Sequence, residues 1–178
     1  LHFLMDVGAS TVDVGMFIAH DVEGVDRYEL LATDVMHAGC SEFTRFQASQ
    51  IAGGIARAIE GHGLGNYGMS QMPTEIEQLL PAQDQIMVTA RQLFEDGISE
   101  FVSKWAGKVG KLLSATKKDR DPRAPAWSNS LPTFVCGGGS SVHVYSQILT
   151  RCQTNLTGMG WRWQGLQKRS LPQPGAGC

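Results

Sequence analysis

A chain of 178 residues that is 42% hydrophobic, 18% charged and 8% aromatic is long enough for one domain with a sizeable core, and this composition argues against disorder of the whole chain. Its formal charge of −2 creates no field for nucleic acid or a membrane surface, and no apolar run approaches the roughly 20 residues needed to span a bilayer. The four cysteines (Cys40, Cys136, Cys152, Cys178) are far apart and form no C-x-x-C pair. Zinc-ligand spacing and a dense disulfide framework are therefore absent, and reduced thiols in a cytoplasmic protein are the simplest account. All 17 acidic residues lie at or before Asp121, and Arg123, Arg151, Arg162, Lys168 and Arg169 follow. A solvated basic end accounts for them; a surface meeting an anionic ligand or partner is the sharper alternative.

Residues 3–7 read as a short buried strand stopped by Gly8. Val12 to Val22 reads as a second strand, with Val12, Val14, Met16 and Ile18 on one face by alternation. A turn over Asp21 to Asp26 leads to a third strand from Tyr28 to Met36, and two tight connections in succession make an antiparallel meander. From Ser41, a credible N-cap, to residue 60 the apolar positions Phe43, Phe46, Ile51, Ile55 and Ile59 follow a helical period, with Gly61 as the stop. Gly61 to Met72 reads as a loop, and Thr74 opens a helix interrupted or restarted at Pro81. A long helix over Ala82 to Leu113 carries Trp105 on its apolar stripe, as a core residue. The charged and Pro-rich stretch from Lys117 to Pro132 is a loop. Thr133 to Cys136 is a strand, and Val142 to Cys152 is a helix. No element is assigned in Gln153–Cys178. That places one lobe over residues 1–152 and a C-terminal segment of unassigned structure over residues 153–178.

Two turns concentrate small residues. Asp6-Val7-Gly8-Ala9-Ser10-Thr11-Val12-Asp13 joins the first two strands. Gly8, Ala9, Ser10 and Thr11 have so little bulk that their backbone N–H groups can approach an anion, and two hydroxyls add donors. Asp6 and Asp13, one on each flank, suit the water shell that Mg²⁺ keeps. Spacing alone fits an ordinary hairpin turn with two solvated aspartates equally well. The second turn, Gly137-Gly138-Gly139-Ser140-Ser141, joins a strand to a helix. It removes every Cβ where a flat ring or sugar would lie, although a tight or flexible strand–helix turn explains it too. His37 and His143 are isolated, and no Ser-His-Asp or Cys-His arrangement emerges from the spacing. Trp161-Arg162-Trp163 fits either a partner-binding patch or a strand that packs one Trp inward.

Taken in order, these pieces resemble the second, C-terminal lobe of the nucleotide-binding core in the actin and DnaK-type ATPase superfamily. In that family the first turn reads roughly D-[IV]-G-G-G-T-x-D and the second ends an apolar strand in G-G-[GS]-S. The segment Ala38-Gly39-Cys40-Ser41-Glu42-Phe43 stands where the family often leads into a helix through Gly-Gly-acidic-Phe. The resemblance covers about residues 3–152. Ala9 and Ser10 replace two of the family's glycines, and the final interdomain helix is not recognisable after Gln153. Only about thirteen residues separate the two long helices, so the insertion that chaperones carry there is reduced.

The resemblance implies an α/β fold, a mixed sheet with an antiparallel meander covered by helices, in the actin-like (ribonuclease H-like) ATPase class. It implies ATP or ADP with Mg²⁺ as ligands. Gly8, Ala9, Ser10 and Thr11 would cradle the terminal phosphates, and Gly137, Gly138, Gly139 and Ser140 would line the adenosine. Asp6 and Asp13 would organise the metal and the attacking water, with Thr11 beside them. The chain begins on strand-like sequence without an initiator Met or signal peptide, so the expectation is a piece of a longer polypeptide whose N-terminal lobe completes the site. A non-catalytic scaffold or filament subunit, associating with itself or a protein partner, is one alternative reading. One lobe of a sugar or acid kinase is another.

Overall fold

The computed structural model describes residues 1–62, 85–120, 123 and 125–170. The loop expected over Gly61 to Met72 and the helix opening at Thr74 lie almost wholly outside them. The described elements are β1 (His2–Val7), β2 (Val12–Val22), β3 (Val25–Met36), α1 (Cys40–His62), α2 (Gln85–Asp119), a short 3₁₀ turn (Pro125–Trp127), β4 (Leu131–Cys136), α3 (His143–Gly158) and β5 (Leu166–Ser170). The chain divides into two compact units: Leu1–Glu42 with Val102–Cys178, and Phe43–Phe101.

The first unit is built on a five-stranded sheet in the order β3-β2-β1-β4-β5. β1, β2 and β3 form the expected antiparallel meander, while β4 pairs parallel with β1 and β5 parallel with β4. The expected fold class, a mixed sheet with an antiparallel meander covered by helices, is thus present. Alternation decides which face is covered: Phe3, Met5 and Val7 of β1, Val12, Val14 and Met16 of β2, and Leu131, Thr133 and Val135 of β4 are all buried. Helical spacing supplies the matching stripes, from Val102, Trp105, Ala106, Val109 and Leu113 of α2 and from Val144, Tyr145, Ile148, Leu149, Cys152 and Leu156 of α3. Trp105 is a core residue, as its place on the stripe predicts. Each such large side chain contributes about 1.5–3 kcal/mol on burial. On the opposite face, His2, Phe17 and Phe134 stack on one another, with centroids 5.1 Å (His2–Phe17) and 5.8 Å (His2–Phe134) apart. Burial holds the His2 imidazole below its ordinary pKa.

Pro132 stands in a strand with neighbours on both sides, where a missing N–H would ordinarily break the ladder. Leu131 donates its N–H to the Gly165 carbonyl of the β5 side, so by alternation the nitrogen of Pro132 faces β1. Pairing with β1 begins only at Thr133, opposite Phe3, so no ladder bond is lost.

In the second unit, Phe43 and Phe46 of α1 meet Phe101 at centroid distances of 4.9 and 5.7 Å. Gly97 lets α2 approach, since a Cβ there would touch Gln50 and Phe46.

Three expectations are revised. The turn between β2 and β3 shrinks to Glu23 and Gly24, with φ of 58° and 77°, so β3 starts at Val25 rather than Tyr28. The long helix, described from Gln85, runs on past Leu113 to Asp119, and its expected start at Ala82 lies outside the described residues. The segment after Gln153 has structure: α3 continues to Gly158 and β5 follows. Gly160 (φ 86°) ends α3 in a Schellman arrangement, donating to Thr157 while Trp161 donates to Leu156. The C-terminal basic residues are exposed, with Lys168 hydrogen-bonded to Ser146 and Arg169 to Gln167. Trp161 packs edge-on between Trp127 and Trp163, with the Lys117 ammonium 4.4 Å from its ring.

Candidate functional site

β1 and β4 are parallel neighbours, so the turns that follow them leave the same end of the sheet. In open α/β sheets, this carboxyl end of the strands is where ligands bind. Asp6 is opposite Asp13 on one side and Cys136 on the other, which sets the ends of β2, β1 and β4 abreast. Val7 and Val12 point into the core, so both aspartates belong to the other face, and both are exposed. The register therefore turns a seven-residue spacing into a facing carboxylate pair.

The first turn is held by backbone. Gly8 donates its N–H to the Thr11 carbonyl at 2.9 Å. The amides of Gly39, Cys40 and Ser41, where α1 begins, donate to the carbonyls of Ser10, Gly8 and Ala9 at 3.2, 3.1 and 2.7 Å. The turn's carbonyls are thus occupied. Among the described residues, no hydrogen bond takes the amides of Ala9, Ser10 or Thr11, or the hydroxyls of Ser10 and Thr11. Ala9 and Ser10 are exposed. A small-residue turn with its acceptors satisfied and its donors unused suits an anion.

The second turn is packed on the first strand. Gly139 donates to the Val7 carbonyl at 3.0 Å and Ser140 to the Gly137 carbonyl at 3.1 Å. Gly137 has φ of 84°, and a Cβ on it would collide with the Asp6 carboxylate and the Val7 backbone. A Cβ on Gly139 would collide with the Cys40 sulfur and Val7. Gly138 is different: a Cβ there would meet nothing within 4 Å, and no positive φ is needed. The left-handed backbone of this turn lies at Gly137.

All ten residues expected at the site meet at this end of the sheet. Three neighbours were not among them. Gly39 admits no side chain, because its Cβ would stand 2.5 Å from the Ser10 carbonyl carbon and 2.6 Å from that of Ala9. Tyr145, fully buried at the start of α3, donates its hydroxyl to the Ala38 carbonyl at 2.8 Å and so ties the second turn's helix to the segment that holds the first. Burial above all, and then the Cys40 thiol, push its phenol well above the ordinary range. Cys136 is the third. Burial, the charge of Asp6 and a hydrogen bond to it raise the Cys136 thiol, which keeps it protonated at neutral pH and a poor nucleophile. Gly39 was visible in sequence only as part of the helix lead-in, and no local pattern marks a tyrosine whose partner is 107 residues away.

His37 and His143 are exposed and separate from the carboxylate pair, and among the described residues no group of three or more His, Cys, Asp or Glu gathers as a metal site. The Asp6–Asp13 pair on its own fits a cation that keeps most of its water. No helix among the described residues is long and apolar enough to cross a membrane.

No protein-family model matches this chain, and no curated protein matches it. Among solved structures it is similar to the ethanolamine utilization protein EutJ from Carboxydothermus hydrogenoformans, at 14% identity and a TM-score of 0.39, covering 94% of this chain and 43% of that one. It is also similar to a non-polymerisable quadruple mutant of pCBH ParM, at 13% identity and a TM-score of 0.43, covering 97% and 43%. The chain thus spans less than half of either protein. At these identities and TM-scores nothing about superfamily, site or activity rests on the likeness.

Proposed function

We propose that this chain is an ATP-binding lobe of the actin and DnaK type, acting in ATP hydrolysis together with an opposite lobe. One observation carries the reading: the parallel pairing of β1 with β4 brings both glycine turns to one sheet end, beside two facing aspartates. In this reading the amides of Ala9, Ser10 and Thr11 bind the terminal phosphate oxygens, and the open face at Gly138 receives the adenosine. Asp6 and Asp13 hold the hydrated Mg²⁺ and orient a water for attack. Mg²⁺ would neutralise charge on the phosphates, and the rest of the catalytic effect is positioning.

Gly138→Val tests the adenosine assignment cleanly, because the position is open and its backbone is not left-handed. ATP and ADP affinity, measured by calorimetric titration, should fall together by more than about tenfold, or ~1.4 kcal/mol. Thermal stability should not change. Unchanged ADP affinity in the folded variant removes the assignment. Phosphate release then separates the readings: turnover by a two-lobed protein that Asp6→Asn abolishes supports the ATPase, and binding without turnover supports a scaffold.

A further inference from the structure

The nucleotide reading uses one end of the sheet and leaves its two long edges unassigned. An edge strand presents a row of unpaired N–H and C=O groups that a second chain can extend. β5 and β3 are the two edges. β5 carries Lys168 and Arg169, charges of one sign that repel a second copy. β3 carries Arg27 and Glu29, charges of opposite sign, among Val25, Tyr28 and Leu30, which are 58%, 66% and 64% exposed. Arg27 has no ion-pair partner among the described residues. Arg120 Nη1, 3.2 Å from Glu29 Oε1, holds the Glu29 carboxylate in place.

The hairpin sets which backbone groups face outward. Glu23 and Gly24 form a two-residue turn with both φ positive, closing on the pair Val22 and Val25. Such a turn closes on a hydrogen-bonded pair, and bonded and non-bonded pairs then alternate along an antiparallel ladder. Val25, Arg27 and Glu29 therefore bond to β2, and Asp26, Tyr28 and Leu30 turn their N–H and C=O groups away from it.

A second copy related by a two-fold axis pairs antiparallel, with outward residues opposite outward residues. Setting Asp26 opposite Asp26 opposes two aspartates. Setting Asp26 opposite Tyr28 places Arg27 against Arg27, and Tyr28 opposite Leu30 places Glu29 against Glu29. A pairing centred on Leu30 runs into the bulge where the β2–β3 register shifts between Met16 and Phe17. Only Tyr28 opposite Tyr28 sets Arg27 against Glu29, twice, at non-hydrogen-bonded positions where side chains come closest. Tyr28 also rests edge-on against Phe17, at 5.9 Å between centroids, so this register joins the aromatic rows of the two sheets.

We propose that the outer edge of β3 is a self-association surface. Two copies join antiparallel over Asp26–Leu30, centred on Tyr28, and their sheets become continuous. This surface does not depend on the nucleotide reading, and either can fail alone.

Sedimentation velocity on the 178-residue chain, from about 1 to 100 µM, is the test, at physiological salt where an exposed ion pair contributes modestly. A monomer–dimer equilibrium is expected, at least tenfold weaker in Arg27→Glu and in Glu29→Arg, with circular dichroism unchanged. The double variant R27E/E29R restores the dimer. An equimolar mixture of the two single variants also restores it, as a heterodimer, because each strand then opposes a strand of opposite charge. Tyr28→Pro, which removes an outward N–H, dissociates it. A chain that stays monomeric throughout the range overturns the proposal. So does a dimer indifferent to Arg27→Glu, or single variants that mixing does not rescue.

Discussion

The turn after β1 and the turn after β4 leave the same end of the sheet and are both made of small residues, yet they need those residues for different reasons. In Gly8–Thr11 no residue has a positive φ, and the turn is fastened by three amides from the start of α1. Nothing in that backbone requires glycine at positions 9 and 10, so Ala9 and Ser10 fit where the superfamily motif has glycines. In Gly137–Gly139 the reasons differ residue by residue. Gly137 is needed for its left-handed backbone and its approach to β1, Gly139 for close approach alone, and Gly138 for neither. A run of three identical letters therefore contains one strained position, one crowded position and one open position.

The sharpest test of that difference is Gly137→Val. A β-branched residue at φ 84° is strained, and its Cβ meets the Val7 backbone, so a loss of more than about 3 kcal/mol is expected from urea unfolding. A loss below about 1 kcal/mol would mean that the second turn is not locked onto β1.

Gly39→Ala tests the fastening of the first turn. The added methyl collides with the carbonyl carbons of Ala9 and Ser10, and overpacking against backbone should cost about 2 kcal/mol. If unfolding shows less than about 0.5 kcal/mol, the start of α1 gives way easily and does not hold the turn.

Tyr145→Phe cuts the tie between the two turns. It leaves the Ala38 carbonyl without its hydroxyl donor, for an expected loss of about 1–2 kcal/mol. The pH dependence has a definite sign. The phenol is raised in the folded chain, so the unfolded chain ionises first, near the ordinary value of about 10. Its contribution is complete below that pH and is lost as pH rises above it. Melting curves between pH 9 and 11 should show a steeper alkaline decline for the native chain than for Tyr145→Phe, and parallel declines would remove Tyr145 as the cause.

The smallest effect belongs to Ala9→Gly. The turn needs no positive φ there, so restoring the motif's glycine only adds freedom to the unfolded chain, at about 0.4–1 kcal/mol. If Ala9→Gly stabilised the chain, the first turn would be strained after all, and the two turns would be more alike than their backbones indicate.

The same division between local and distant causes explains which elements could be read from the residues. β1, β2 and α2 announced themselves because each buries one face, and burial on one face writes a period of two or of about 3.6 into the chain. β5 did not. Its residues Gln167, Lys168 and Arg169 are exposed at a sheet edge, so no alternation marks them, and only pairing with β4 makes them a strand. Gly160 seats the left-handed cap of α3, but the expected helix ended at Cys152, so this stop was not read from the residues.

By itself, the sequence determined the two small-residue turns, the carboxylates that flank the first, and the order of strands and helices around them, since each depends on neighbours a few residues apart. Tertiary structure alone decided that β4 lies parallel to β1, and hence that the two turns share one end of the sheet. It also decided that Gly137 and not Gly138 is the constrained glycine, that Gly39 and Tyr145 support the site, and that the two sheet edges carry unlike charge patterns. These features come from contacts between residues that can be more than a hundred positions apart, such as Tyr145 with Ala38 and Asp6 with Cys136. Contacts at that range leave no period in the chain, because each partner is placed by a different element.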